Sequence, residues 1–184
     1  MTDEKLTWTQ TRALIRSDME RMVEHMGVGS FAHRCHYALM PGFQALFWHR
    51  ISRHFYLRGY KLLARLISLF ALYLTSAEIP PTSSLGSSAF IAHACGVNIF
   101  ARAGDRLTIY GQGGFGGGFG EEDIGAGPGY ALVGNNVTVA FGARPFRGVR
   151  IGDDAKLGPG AQTTRDVPAG ALVMWTESRI FTAG

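Results

Sequence analysis

Six histidines are the side chains of this chain best suited to move a proton at neutral pH, since a free imidazole titrates near ~6.5. Five of them (His25, His33, His36, His49 and His54) precede residue 55. Their spacing yields one pair, His33-x-x-His36, with no third ligand in view, so no metal site is expected. His93 stands alone in the second half. Cys95, two residues on, would be an acyl-enzyme thiol in a covalent mechanism. It falls at a position where neighbouring segments carry a small residue, and reads as a spacer. Gly111-x-Gly113-x-x-Gly116 has the form of a dinucleotide fingerprint, but it lacks the strand and helix that give that fingerprint meaning. The acidic triplet Glu121, Glu122 and Asp123 lies in the same glycine-rich stretch. It suits a lid over a cationic or polyhydroxyl substrate and equally suits a solvated loop.

Two kinds of element must position these groups. From Arg12 to Met26 apolar residues recur at helical spacing (Leu14, Ile15, Met19, Met22, Val23 and Met26). Phe43, Leu46, Phe47, Ile51 and Phe55 repeat that spacing after Pro41-Gly42, and Leu62 to Leu74 gives a third helix after Gly59. Residues 1–76 therefore read as a helical domain, ended by Pro80-Pro81. Residues 77–184 follow a period of six: Ile79, Leu85, Ile91, Val97, Ala103, Ile109 and Phe115, then Val133, Val139, Pro145, Ile151, Leu157, Thr163 and Ala169. Pro145 and Thr163 are misfits. Small residues recur between them: Ser83, Ala89, Cys95, Ala101, Gly113, Ala143, Ala155 and Ala161. Six residues make a short strand and a corner, and three such units close a triangular coil. Coils stacked at ~4.8 Å satisfy one another's backbone. About five coils are expected, on the order of 24 Å of prism. The frame jumps from Phe115 to Val133, so a loop at about 116–131 is extruded.

Composition narrows the function classes. The net charge is +4, without a Lys/Arg run or a nucleic-acid motif. Two cysteines give no disulfide framework. The polar first ten residues are no signal peptide, and Leu62–Leu74 is too short to span a bilayer. A cytoplasmic protein without a membrane span is expected.

Several ordered segments carry a family resemblance. Pro41-Gly42-Phe43-Gln44-Ala45-Leu46 with His49-Arg50-Ile51, then Glu78-Ile79-Pro80-Pro81, Ala92-His93-Ala94-Cys95-Gly96-Val97 and Arg165-Asp166-Val167-Pro168 resemble signatures of the serine acetyltransferases. These are hexapeptide-repeat acyltransferases with a left-handed parallel β-helix. The resemblance covers about residues 11 to 170 and implies an α+β fold of N-terminal helices followed by that β-helix. It implies acetyl-CoA as co-substrate, no metal, a small-molecule hydroxyl acceptor and no nucleic acid. It further implies a homotrimer with active sites between prisms, the family's additional N-terminal helices that join two trimers having no counterpart here. His93 matches the catalytic histidine, which takes the proton of the attacking hydroxyl. Glu78 stands where the family's D-I-H-P has the Asp that orients it, one methylene longer. Phe115-Gly116-Gly117 resembles the L-G-G beside the thioester. Ala140-Phe141-Gly142-Ala143 resembles G-A-G-A, with Phe141 bulky enough to narrow the pantetheine channel. Lys156, Arg165 and Arg179 lie where the family holds the coenzyme phosphates.

The acceptor side departs from the family. Ala92 replaces the Asp before the catalytic histidine, Met26-Gly27-Val28-Gly29 replaces R-D-P-A, and Gly129-Tyr130-Ala131 replaces R-H-P. A free amino acid carries two charges that are costly to bury unpaired. The acceptor is therefore expected not to be free L-serine, with Ala92 and Tyr130 lining its site. A serine acetyltransferase with an altered pocket and a non-catalytic binding or assembly protein are the alternatives.

Overall fold

The computed structural model describes residues 5–116 and 122–175. Four helices precede the coils: α1 (Trp8–Met26), α2 (Phe31–Leu39), α3 (Pro41–Leu57) and α4 (Lys61–Thr75). Local sequence sets their ends. Thr7 and Gln10 form a reciprocal capping box at α1, and Gly27 closes that helix in the left-handed region (φ 75°). Ser30 caps α2, and Pro41 begins α3, where a missing N–H costs nothing. The sequence reading predicts three helices, and α2 is the one it lacks.

From Glu78 onward the chain forms a parallel β-solenoid of five turns with three faces, as the hexad period predicts. One face runs from the Glu78–Asn98 bridge through Asn98–Ile99, Gly114–Phe115 and Arg144–Pro145 to Gln162–Thr163. On the second face Ser84 pairs with Arg102, Arg102 with Leu132, and Leu132 with Arg150. The third pairs Phe90 with Thr108, Thr108 with Thr138, Thr138 with Lys156, and Lys156 with Leu172. Five of these pairs are 18 residues apart, whereas Arg102–Leu132 and Thr108–Thr138 are 30 apart. Twelve residues are therefore extruded at one corner.

The interior is a column of apolar side chains. Leu85, Ile91, Ile109, Phe115, Val133, Val139, Ile151 and Leu157 are all buried, as the frame requires. Pro145 is buried too, and harmless there. Its neighbours Arg144 and Phe146 donate to Ala161 and Thr163, so the ladder needs no proton from residue 145. The expected frame fails in two places. Ile99, not Val97, holds the strand position opposite Phe115, and the next strand returns at Ala101–Ala103. The corner after Ile91 is thus two residues longer than a hexad allows, and the following face is two shorter. Cys95 consequently lies exposed on that corner instead of filling a small inward position. In the last turn Val167 and Val173 take the inward role, while Ala169 is exposed.

The helices dock on the first coils through a buried ion pair. Arg50 grips Asp18 with Nε and Nη2 at 3.0 and 3.1 Å, and both side chains are almost wholly buried. The same guanidinium donates to the carbonyls of Leu85 and Gly86, while the Asp18 carboxylate accepts the Ala89 N–H at 2.9 Å. Burial pushes the Asp18 carboxyl up, against the pull of Arg50 and of these hydrogen bonds. With every polar atom matched, removing one partner would strand the other. Beside this pair His49 is fully buried, and burial together with the charges of Arg50 and Arg53 holds its imidazole well below 6.5.

Candidate functional site

His93 sits on the lengthened corner, immediately after the Phe90–Ile91 strand. Ala92 N–H donates to the Ile109 carbonyl and anchors the approach, leaving the imidazole exposed. The next coil places Gly111 directly against it. A Cβ on Gly111 would lie 3.1 Å from the Cβ of His93 and 3.3 Å from Cε2 of Phe141. His93 and Phe141 therefore flank a position kept free of side chain, and Phe141 leaves about half its surface (52%) to solvent. An exposed histidine beside an aromatic wall, on a corner cleared by glycine, is an arrangement that can take a proton from a hydroxyl set down beside it.

Arg144, which the sequence reading does not single out, fastens this corner. Its Nε donates to the Gln112 carbonyl at 2.9 Å and its Nη2 to the Gly96 carbonyl at 3.0 Å. One guanidinium thus ties together the two turns that carry His93 and Gly111. The signal was weak, because an outward arginine on a strand reads as solvated.

The other expected residues lie in several places. Glu78 is close in the chain pairing: its N–H donates to Val97, and Gly96 N–H donates to Ser76. Its carboxylate nevertheless makes no hydrogen bond to His93 among the described residues, so the expected partnership is not formed here. Both groups have access to water, where such a pair gains little. Phe115 and Ala143 are wholly buried. Phe115 fills the prism and its carbonyl accepts from Phe100, while the backbone of Ala143 is engaged by Ala140 and Gly114. Neither side chain can touch a ligand, which corrects that expectation. Lys156 and Arg165 are exposed on the last coils. Gly117 and Arg179 lie outside the described residues.

Gly116 and Tyr130 belong to a different corner. Tyr130 packs edge-on against Phe100 (5.7 Å, 88°) and shares a 2.6 Å hydrogen bond with Thr82. Phe100 follows the Asn98–Ile99 face and His93 precedes it, so within one chain Tyr130 and His93 stand at opposite ends of that face.

Ala92 faces the helices. It packs against a cluster formed by Met22, Tyr37, Phe43 and Phe90, with the His25 ring tilted 32° over Phe90 at 4.2 Å. Val28 follows the α1 cap half-exposed, and residues 25–77 contain no Asp or Glu. The nearest acid along α1, Glu24, is engaged by Arg21 and Arg106. Among the described residues the surroundings of Ala92 are thus apolar, without the carboxylates expected to hold an amino group. Among the described residues no three His, Cys, Asp or Glu side chains gather as a metal site requires.

No family model matches the chain. It is 37% identical over 143 residues to a serine acetyltransferase of Synechococcus elongatus, covering 77% of this chain and 57% of that protein. It is 33% identical to the serine acetyltransferase of Helicobacter pylori (strain ATCC 700392 / 26695), covering 78% of this chain and 83% of that one. Among solved structures, the Neisseria gonorrhoeae serine acetyltransferase superposes with a TM-score of 0.79 at 25% identity, over 94% of this chain and 68% of that one. The chain thus spans little more than half of the cyanobacterial relative, yet most of the Helicobacter one. At that identity and coverage of the Helicobacter protein, the chain belongs to the serine acetyltransferase family.

Proposed function

We propose that the protein transfers the acetyl group of acetyl-CoA to an acceptor hydroxyl, with His93 as general base. The imidazole takes the hydroxyl proton as that oxygen attacks the thioester carbonyl. The tetrahedral intermediate then collapses, the C–S bond breaks, and the imidazolium returns the proton to the leaving thiolate. Glu78 would swing to the imidazole when the acceptor excludes water from the corner. Phe141 borders the thioester, and Gly116, on the corner that a neighbouring prism would bring towards His93, lets backbone N–H groups approach it. Lys156 and Arg165 supply positive charge for the coenzyme phosphates. The observation that carries this reading is the exposed His93 facing Phe141 across Gly111.

A single prism leaves that corner open on one side. The reading therefore includes a trimer in which a neighbouring prism closes the site and brings its own Tyr130 corner towards His93. The acceptor is read as a hydroxyl compound other than free serine, because the wall beside Ala92 is apolar and residues 25–77 carry no carboxylate. Free serine is the second reading, favoured by the names of the relatives.

Thiol release from acetyl-CoA, measured with L-serine and a panel of hydroxyl acceptors, decides among these. Turnover on another acceptor that disappears in His93→Ala supports the proposal. Turnover on serine that disappears in the same variant keeps the chemistry and refutes the acceptor. Silence on every acceptor, together with no coenzyme A binding by calorimetry, would leave a non-catalytic protein.

A further inference from the structure

Arg144 holds the His93 corner with one edge of its guanidinium. Nε donates to the Gln112 carbonyl at 2.9 Å and Nη2 to the Gly96 carbonyl at 3.0 Å. Those two N–H groups form one side of a planar fork that carries five N–H donors in all. The other three, two on Nη1 and one on Nη2, have no hydrogen-bond partner among the described residues. One from each Nη lies along the far edge, side by side, in the geometry that takes both oxygens of a carboxylate.

No acid within the described residues forms an ion pair with this cation. Arg144 stands on the outward side of its strand, beside the inward Pro145. Its neighbours in the column are Gly114 and Gln162, both uncharged. Beyond Gly114 come Asn98 and then Glu78. Three rungs at ~4.8 Å put the Glu78 backbone roughly 14 Å away. The guanidinium is nevertheless close to the reacting group. Gly96 lies three residues after His93, and Gln112 follows Gly111, which keeps the space between His93 and Phe141 clear.

The surroundings restrict what this edge can hold. A single guanidinium answers one negative charge, and neither Gly114 nor Gln162 adds the second cation that a phosphate dianion calls for. Ala92 packs into Met22, Tyr37, Phe43 and Phe90, and residues 25–77 contain no Asp or Glu to receive an ammonium group.

We propose that Arg144 anchors the carboxylate of the acceptor, and that the acceptor is a short hydroxy acid without an amino group. The inference rests on the acetyl transfer proposed above and names its acceptor class. With the carboxylate on the open edge of Arg144, the hydroxyl reaches the His93 imidazole. The apolar wall at Ala92 receives the carbon that carries an ammonium group in an amino acid.

Thiol release from acetyl-CoA is measured with 3-hydroxypropionate, lactate and 3-hydroxybutyrate, with the uncharged amide of each, and with L-serine, which is 3-hydroxypropionate bearing an amino group. The expected result is a kcat/KM for at least one acid about tenfold or more above that for its amide and for serine. In Arg144→Gln the KM for that acid rises about tenfold or more and the preference over the amide disappears. Arg144→Lys, which keeps the charge without the fork, retains part of the preference. The wild-type ratio and Arg144→Lys carry the test if Arg144→Gln loses its thermal transition. Equal use of acid and amide by the wild type overturns the proposal, as does a preference for serine. So does a loss in Arg144→Gln that is the same for acid and amide, because a residue that only fastens the corner acts on both alike. Turnover confined to serine or neutral acceptors, and lost in His93→Ala, removes this inference and leaves the acetyl transfer standing. Silence on every acceptor with no coenzyme A binding removes both.

Discussion

Two corners of the same prism are built from the same backbone turn and put to opposite uses. On the corner between the second and third faces, Ser87, Asp105, Asn135 and Asp153 stack one above another. Each side-chain oxygen accepts the backbone N–H of the residue one coil below: Asp105 from Ser87 (2.6 Å), Asn135 from Asp105 (2.9 Å) and Asp153 from Asn135 (2.6 Å). The left-handed residues that follow, Ser88, Arg106, Asn136 and Asp154, repeat at each level with φ between 54° and 60°. On the His93 corner the column is His93, Gly111 and Phe141, and no side chain in it caps a backbone group. One corner spends its polar side chains on its own structure, while the other holds them free. A general base must keep one ring nitrogen open to its substrate, so the fold's self-sealing is suspended at the corner proposed for the chemistry.

Breaking the open corner should cost activity alone. His93→Ala is expected to lower kcat by roughly 10²–10⁴-fold with no change in thermal midpoint, since the imidazole makes no structural hydrogen bond. Gly134→Ala, on the sealed corner, should do the reverse. Its new Cβ would sit 2.3 Å from the Asp153 carboxylate and 2.7 Å from the Asp153 nitrogen. Overpacking of that kind costs about 1–3 kcal/mol, read as a lower urea midpoint with kcat per folded molecule retained. Gly111→Ala sharpens the contrast, because contacts of 3.1 and 3.3 Å are relieved by small movements of His93 and Phe141. Stability should change by less than about 1 kcal/mol while kcat falls about tenfold. Phe141→Ala should leave folding intact and shift KM for acetyl-CoA, or admit longer acyl groups, within about tenfold.

The smallest effect contrasts two histidines. His49 has its imidazole pKa held well below the unfolded value of 6.5, so the unfolded chain binds more protons as pH drops through that value. Its contribution to stability is therefore intact above about pH 6.5 and lost progressively below it. Urea midpoints measured between neutral pH and pH 5 should fall for the wild type and fall less for His49→Phe. The exposed His93→Ala should reproduce the wild-type slope.

How much of this was legible follows from which side chains geometry constrains. The hexad rule holds because an inward residue such as Ile109 or Leu157 must fill a prism of fixed width. The displaced frame at Ile99 was invisible, since Val97 is also apolar and the two-residue gain is cancelled before Ala103. Helix α2 was missed because Phe31 and Leu39 are exposed and no long apolar stripe marks it, although Ser30 is a sound cap. His93 was legible from its motif alone. Arg144 was not, because an outward side chain acquires its role only when another coil's carbonyls come within reach. The pairing of Glu78 with His93 follows from the motif, but the structure leaves the two apart.

The extruded segment bears on how such a chain can diversify. On either side of it the ladder resumes without slippage, Ala103 meeting Val133 and Ile109 meeting Val139. Phase in this solenoid is read from the coil beneath, not counted along the chain. A corner can therefore gain or shed residues while every inward position downstream keeps its place, and a longer loop adds only logarithmically to the closure cost. Surface recognition and interior architecture are written in separate registers, so one can be revised freely while the other stands.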